Sequence, residues 1–558
     1  MSKTLFIVLI SFAVSIPASA QFTEYIVRLK DKNGTIYSVN RPQEFLSQRA
    51  IDRRQRQNIP ITEQDIPVVA AYLDSIQNAG SVIIKNTSKW LNQVLIQTTD
   101  MNALQKINSF SFVMNTSPIK RKGLTTVDKR KEIIHEFKET TTSLNMKDVK
   151  GLNYGYSGPQ IKIHNGDFLH DKGFTGKGML IAVIDDGFYH YKTLPAFDSL
   201  RLQNRILDLH DFVSNLPDLN DEDPHGMYCL SLISANVPGT MVGTAPNASF
   251  LLYRSEDVSS ESPSEEQNWV AAAERSDSAG ADVITTSLGY NLFDNPIFNH
   301  TYQDMNGETT IAARGAGIAA SKGMILLIAA GNEGNNSWHY ITTPGDAKGV
   351  LTVGAVDVNE TPASFSSYGP SSDGRVKPDV ASVGVNDVVQ GASGGFVQGS
   401  GTSFATPNLA GLVACLWQAF PDFSSSDIME FVRKSSPTYN SPTAQTGYGI
   451  PDFGQAFDML SKERVRRNAA KILGDNTVAV YPNPVTTVAH VLINPASSGS
   501  TVVRLIDMSG RICFRKNISL TAGEIYILDI TKNSLPRGIY VIQLSDGTII
   551  HQKKIVIQ

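Results

Sequence analysis

Continuous apolar runs alternate with amphipathic stretches through the middle of the chain. The runs fall at residues 178–184, 249–253, 282–286, 324–328 and 349–353. Amphipathic segments at about 265–279 and 309–322 lie between them and predict helices. A strand buried on both faces needs an unbroken apolar run, and helices between such strands cover a parallel sheet. The expected fold class for residues 152–465 is therefore α/β, a parallel sheet with helices on both faces. Sites in such sheets gather at the carboxyl ends of the strands. Residues 408–417 are apolar almost all round and predict a helix buried inside the same domain.

The flanks carry other periods. Residues 24–29 alternate as a strand does, and Asn33-Gly34 marks a turn. Helices are expected at 43–56 and 66–78, strands at 82–84 and 93–97, a short helix at 101–107 and a last strand at 111–114. Residues 21–118 thus read as a small α+β domain. Residues 119–151 hold Lys120-Arg121-Lys122 and Lys129-Arg130-Lys131 with little apolar periodicity. They read as a solvated basic linker open to proteolysis. Residues 474–558 return to short strands, at 488–493, 502–506, 525–530 and 539–544. Ser509-Gly510 and Asp546-Gly547 supply turns, and a small β-sandwich is expected.

Residues 1–20 read as a secretory signal. Lys3 gives the positive start, 5–16 the apolar run, and Ala18-Ser19-Ala20 the small residues before a cut at Gln21. That run is short for a membrane span of roughly 20 residues. No other stretch is long and apolar enough, so no transmembrane segment is expected in the mature protein.

At 558 residues the chain is too long for one core. A hydrophobic share of 41% with 18% charged residues describes ordinary globular domains. A net charge of −4 gives no general affinity for nucleic acid or anionic membranes. Three cysteines cannot build a disulfide framework, and Cys229 and Cys415 are expected as buried thiols.

Four polar residues stand beside glycines at element boundaries. Asp185 ends the 178–184 run, and His225 opens an apolar helix after a polar loop. Asn332 follows the 324–328 run, and Ser403 sits at the start of the buried helix. Taken singly, each has a structural explanation as a cap or turn residue. Taken together, they supply what serine hydrolysis needs. A hydroxyl must lose its proton to a base, and a carboxylate must hold that base. Donors must also meet the oxygen that becomes negative. A helix N-terminus offers one and the Asn332 amide a second.

Here the sequence resembles the subtilisin-like serine peptidases, or subtilases. The order Asp…His…Ser is that of subtilisin. The matching residues are 182–187, His225-Gly226, Ala330-Gly331-Asn332 and 401–407. Smaller matches are Ala245-Pro246-Asn247-Ala248, Ser287-Leu288-Gly289, 365–370, Lys377-Pro378-Asp379-Val380 and Gly447-Tyr448-Gly449. The resemblance covers about 155–462. It implies that Ser403 attacks the scissile carbonyl and that His225 acts as general base. It implies that Asp185 orients His225 and that Asn332 donates to the oxyanion. Ser287, Leu288 and Gly289 with Ala329, Ala330 and Gly331 would wall the first specificity pocket. The sequence departs from the family at Asp186, at Met227-Tyr228 after His225-Gly226, and at Ser382-Val383-Gly384. No catalytic group is lost. The pocket floor falls somewhere around 338–343, and the stretch 291–308 is a candidate for shaping the cleft.

The flanks resemble familiar parts as well. Residues 21–118 are similar in size and element order to subtilase propeptides, which assist folding and block the cleft. A cut within 115–152 follows. The tail resembles the C-terminal sorting domain of the type IX secretion pathway of certain Gram-negative bacteria. It does so through Val480-Tyr481-Pro482-Asn483-Pro484, 505–510, 538–542 and Lys553-Lys554. The implied route crosses the periplasm to the surface or medium, with the secretion machinery, the propeptide and protein substrates as partners. The alternative for the tail is a carbohydrate- or protein-binding sandwich. The resemblance fixes no cofactor and leaves structural calcium open. Calcium is common in the family, but Asp218 to Asp223 reads as a solvated loop. A catalytically silent peptide binder would have shed one of the four groups. An α/β-hydrolase esterase places its serine before its Asp and His.

Overall fold

The computed structural model describes residues 22–121, 133–136 (backbone), 152–219, 223–532, 535–545 and 550–558. The signal at 1–20, most of the 119–151 linker, Asp221-Glu222 and the Asp546-Gly547 turn lie outside the described residues. The chain divides into two compact units, residues 1–456 and 457–558.

A seven-stranded sheet organises the first unit. Across it the strands run Val380–Val383, Leu351–Val356, Ile325–Ala329, Val283–Thr286, Leu180–Asp185, Ser249–Arg254 and Ile206–Asp211. Every neighbouring pair is parallel. Five of these are the apolar runs. The other two, at the sheet edges, were not expected. Ile206–Asp211 mixes three apolar residues with Asp208, His210 and Asp211 and is mostly only partly buried at the sheet edge, and Val380–Val383 is only 4 residues long. Ala182, Ile184, Ile284, Leu326 and Ile328 pack in one core with Trp269 and Val270 of the Ser264–Ala279 helix and Ala313 and Ala316 of the Ile311–Ser321 helix. Each large side chain so buried is worth about 1.5–3 kcal/mol. The Thr402–Ala419 helix lies against the Leu351–Val356, Ile325–Ala329 and Val283–Thr286 strands and is buried from Thr402 to Trp417.

The N-terminal domain is the expected α+β unit. Its antiparallel sheet runs Ile83–Ser88, Gln93–Gln97, Phe22–Leu29, Val113–Arg121. The last strand does not stop near 114 as expected. It continues to Arg121 because Glu24 pairs with Lys120 and Phe22 with Arg121. The linker also holds a second ordered piece. The backbone of Ile133–Glu136 pairs antiparallel with Phe396–Ser400, the strand just before Ser403. Isolated from its partner strand, that short segment gives no pattern of its own.

This domain packs on the Ser264–Ala279 helix through charge as well as apolar surface. Glu274 accepts from Ser88 Oγ at 2.5 Å, Lys89 N at 2.8 Å and Trp90 N at 3.0 Å. Trp90 joins the core of the seven-stranded sheet. Arg54 bridges Asp65 at 3.0 Å and Asp277 at 2.6 Å, Arg53 also pairs with Asp277, and Lys322 reaches Asp65 at 3.0 Å. All five side chains are buried.

The helix Phe453–Leu473 carries the chain from the first unit into the second. The second unit has one antiparallel sheet of Val478–Tyr481, Val488–Ile493 and Tyr526–Thr531. Its other sheet holds Ile512–Leu520, Gly499–Asp507, Gly538–Ser545 and Ile550–Ile557. Val491, Ile493 and Leu528 from the first share a core with Val503, Leu505, Ile542 and Ile555 from the second. This is a two-sheet sandwich. Among the described residues, no helix is long and apolar enough to cross a membrane.

Candidate active site

Asp185 is the last residue of its strand, and His225 is the first of the His225–Ser234 helix. Both are buried, and His225 Nδ1 lies 2.5 Å from Asp185 Oδ1. The close approach depends on Gly226. A Cβ there would lie 2.4 Å from Gly187 O and 2.8 Å from Asp185 Cβ. Asp186 stands just behind. Its Oδ1 accepts from Gly226 N at 3.2 Å, and its Oδ2 lies 3.9 Å from His225 Nδ1. The unusual second carboxylate therefore fixes the start of the histidine helix.

Ser403 is the second residue of Thr402–Ala419, following Gly401. It is not the cap. Its Oγ donates to Ser287 O at 3.3 Å. Pro407 lies inside the helix and has no N–H to give to the Ser403 carbonyl four residues back. That carbonyl instead accepts from Ser287 Oγ at 2.7 Å and Cys229 Sγ at 3.4 Å. The proline thus frees the serine backbone to be held by neighbouring elements. Cys229 also gathers the other two positions, since its sulfur, an Asp185 oxygen and a His225 nitrogen all lie within 4.8 Å of one another. That spacing would also suit a metal ion. Cys229, Cys415 and Cys513 are all free thiols, the first two buried.

Asn332 follows the carboxyl end of Ile325–Ala329. Its Oδ1 accepts from Thr402 N at 2.9 Å and Thr402 Oγ1 at 3.0 Å. Thr402 Oγ1 also accepts from Gly331 N at 3.3 Å. Thr402 therefore locks the asparagine loop to the serine helix, a role the sequence reading did not give it.

The expected pocket walls adjoin this group. Ser287 is bonded to Ser403 as described, and Leu288 packs on the sheet core. Ala329 closes its strand, and Ala330 donates to Val353 O at 3.0 Å. Gly289 and Gly331 share a neighbour that the sequence reading did not single out. A Cβ on Gly289 would lie 2.1 Å from Thr342 Oγ1, and one on Gly331 would lie 3.0 Å from it. The φ of Gly331 is +106°, a left-handed backbone that favours glycine. Thr342 thus reaches between the two walls. It is buried, and its hydroxyl has no hydrogen-bond partner among the described residues. Further out, Tyr290 OH donates to Glu256 at 2.7 Å. Burial pushes the Glu256 carboxyl up to about 8.

The subtilase family model matches residues 176–450. A peptidase S8 propeptide model from Bacteroidota matches 24–135, and a secretion system C-terminal sorting model matches 479–558. Serine protease AprX of Bacillus subtilis (strain 168) is 28% identical over 303 residues, 49% of this chain and 63% of that protein. A thermostable alkaline protease of Halalkalibacterium halodurans is 27% identical over 349 residues, 58% of this chain and 85% of that one. Among solved structures, that of the prenylagaramide maturation protease PagA is 21% identical with a TM-score of 0.41, covering 53% of this chain and 98% of that chain. The central domain of this chain, a parallel sheet with Asp185, His225, Asn332 and Ser403 at its element ends, belongs to the subtilase family and is preceded by a Bacteroidota S8 propeptide domain and followed by a secretion sorting domain.

Proposed function

We propose that this protein is a secreted serine endopeptidase using Asp185, His225 and Ser403, with Asn332 as oxyanion donor. The observation that carries this reading is the buried 2.5 Å contact between His225 Nδ1 and Asp185. With Nδ1–H donated to the carboxylate, Nε2 is the basic nitrogen. It takes the Ser403 hydroxyl proton as Oγ attacks the scissile carbonyl. Asp185 stabilises the imidazolium that results. The oxygen that gains charge meets the Asn332 amide, fixed by Thr402, at the positive end of the Thr402–Ala419 helix. The tetrahedral species collapses to an acyl-enzyme as His225 returns the proton to the leaving amine. Water then repeats the cycle and frees the acid. Substrate would lie as an added strand along Ser287–Gly289.

The N-terminal domain acts in this reading as an intramolecular chaperone and inhibitor, with the mature enzyme formed by a cut within 115–152. The catalytic domain is 152–465, and 474–558 is the sorting domain for type IX export through the periplasm. Replacing Ser403 by alanine should lower kcat on a peptide substrate by on the order of a millionfold, the size of this effect in subtilisin. Asn332→Ala should cost about 10²–10³-fold in kcat. Hydrolysis by Ser403→Ala at the parental rate would overturn the assignment. Gln21 found at the N-terminus of the active species would overturn the processing.

A further inference from the structure

We infer that the linker strand Ile133–Glu136 is a lock on the leaving side of the cleft, separate from the N-terminal domain, and that extended substrates are cut efficiently only once it has gone. The inference rests on the peptidase reading above and names a regulation of the same site.

The strand covers a particular edge. The three-stranded sheet runs Asp387–Gln390, Phe396–Ser400, Ile133–Glu136, so the linker strand is outermost. Without it, Phe396–Ser400 is an edge strand with unpaired backbone groups, and such an edge takes up an extended peptide as a further strand. The edge is fixed in place. Its other side pairs with Asp387–Gln390, from Gly399 opposite Asp387 to Phe396 opposite Gln390. Ser400 Oγ accepts from Asn386 N at 3.0 Å, and Gly401 N donates to Gly384 O at 2.8 Å. A Cβ on Gly399 would lie 2.6 Å from Phe404 Cζ, so the strand rests on the residue that follows the nucleophile.

The edge leads straight to Ser403. Ser400 is three residues before it, which puts their Cα atoms at most about 11 Å apart. The pairing is antiparallel, with Ile133 opposite Ser400 and Glu136 opposite Val397. The linker therefore runs away from Ser403 as it proceeds towards its carboxyl end. A substrate with its acyl part along Ser287–Gly289 has the same polarity, since the residues after the scissile bond run away from Ser403. Those residues can pair with Phe396–Ser400 only when Ile133–Glu136 does not.

Loss of the N-terminal domain does not clear the edge. A cut between Arg121 and Ile133 frees the domain, but residues 137–151 still join the strand to the catalytic domain. A tethered segment acts at an effective concentration of about millimolar, well above that of most substrates. Such a form cuts substrates that end at the scissile bond and discriminates against those that continue past it. A cut beyond Glu136 removes the discrimination.

The test inserts a site-specific protease sequence in the full chain, either within 122–132 or within 137–151. The processed enzyme then keeps or lacks Ile133–Glu136, and mass spectrometry fixes each N-terminus. Each form, freed of the N-terminal domain, is assayed on one acyl peptide with two leaving groups. One is p-nitroaniline, with no residue past the scissile bond, and the other is a peptide long enough to pair with Phe396–Ser400. The kcat/KM ratio of extended substrate to anilide should be about tenfold higher in the form lacking the strand. Successive N–H groups of a strand point to opposite sides, so the double variant Ile133→Pro, Ile134→Pro removes a ladder bond. It should raise the ratio of the strand-keeping form towards that of the other. Equal ratios in the two forms would overturn the inference. Failure of the peptidase reading looks different, because neither substrate would be hydrolysed and Ser403 would resist a phosphonate probe. In that event, binding of the extended peptide by fluorescence anisotropy decides the matter, and equal affinity in both forms would overturn it.

Discussion

Thr342 stands between the two expected walls of the proposed pocket. Its hydroxyl lies against both glycines that open the pocket walls. A side chain entering between Ser287–Gly289 and Ala329–Gly331 meets it early, so small residues should be preferred there. Thr342→Gly should enlarge the pocket and raise the phenylalanine-to-alanine ratio of kcat/KM by roughly 10–100-fold, the scale of a few methylenes. Peptide-library profiling checks this, and an unchanged profile would contradict it. Sequence reasoning placed the floor only within 338–343, because no motif marks a residue whose role is set by two glycines distant in the chain. Glu256 is a second residue whose role is spatial. Its folded-state pKa, about 8, lies above the ordinary 4.5. Its contribution to stability is full below 4.5 and is lost as pH rises towards and through about 8. Glu256→Gln keeps acceptors for Ser255 and Tyr290 and cannot ionise. Thermal melting should show the variant gaining on the parent from pH 5 to pH 8. A difference constant with pH would contradict this.

At the scale of elements, the serine helix and the N-terminal domain each depend on contacts invisible in local pattern. The apolar run after Pro407 was legible as a buried helix because almost every position is apolar. The use of Pro407 was not, since the bonds that replace its missing N–H come from Ser287 and Cys229 in other elements. The N-terminal domain's strands and helices were legible from alternation. Its docking through Arg53, Arg54, Asp65, Asp277 and Lys322 was not, because charged residues read as surface in a sequence. Removing one member leaves buried charge without its partner, which typically costs about 3–5 kcal/mol. Asp277→Ala in the unprocessed Ser403→Ala chain should therefore lower stability to urea by about that amount. A change under about 1 kcal/mol would show that the cluster is solvated. The edge strand Ile206–Asp211 was missed for a related reason, as half its side chains are polar.

For the whole molecule, the α+β unit, the parallel sheet and the C-terminal sandwich were legible in changes of period along the chain. The boundary at 118 was not, because strand pairing with Phe22 and Glu24 draws the last strand to Arg121. The sorting domain matched at 479–558 marks the protein for export, and its removal tests that directly. Deleting 474–558 should leave the protein in the periplasm, and normal surface delivery without it would contradict the assignment. The central claim is that Asp185, His225 and Asn332 converge to make Ser403 a nucleophile. Labelling of the processed protein with a serine-directed phosphonate, mapped by mass spectrometry, tests it most directly. The account predicts a single adduct on Ser403 that His225→Ala abolishes. An unlabelled Ser403 in correctly folded, processed protein would contradict it.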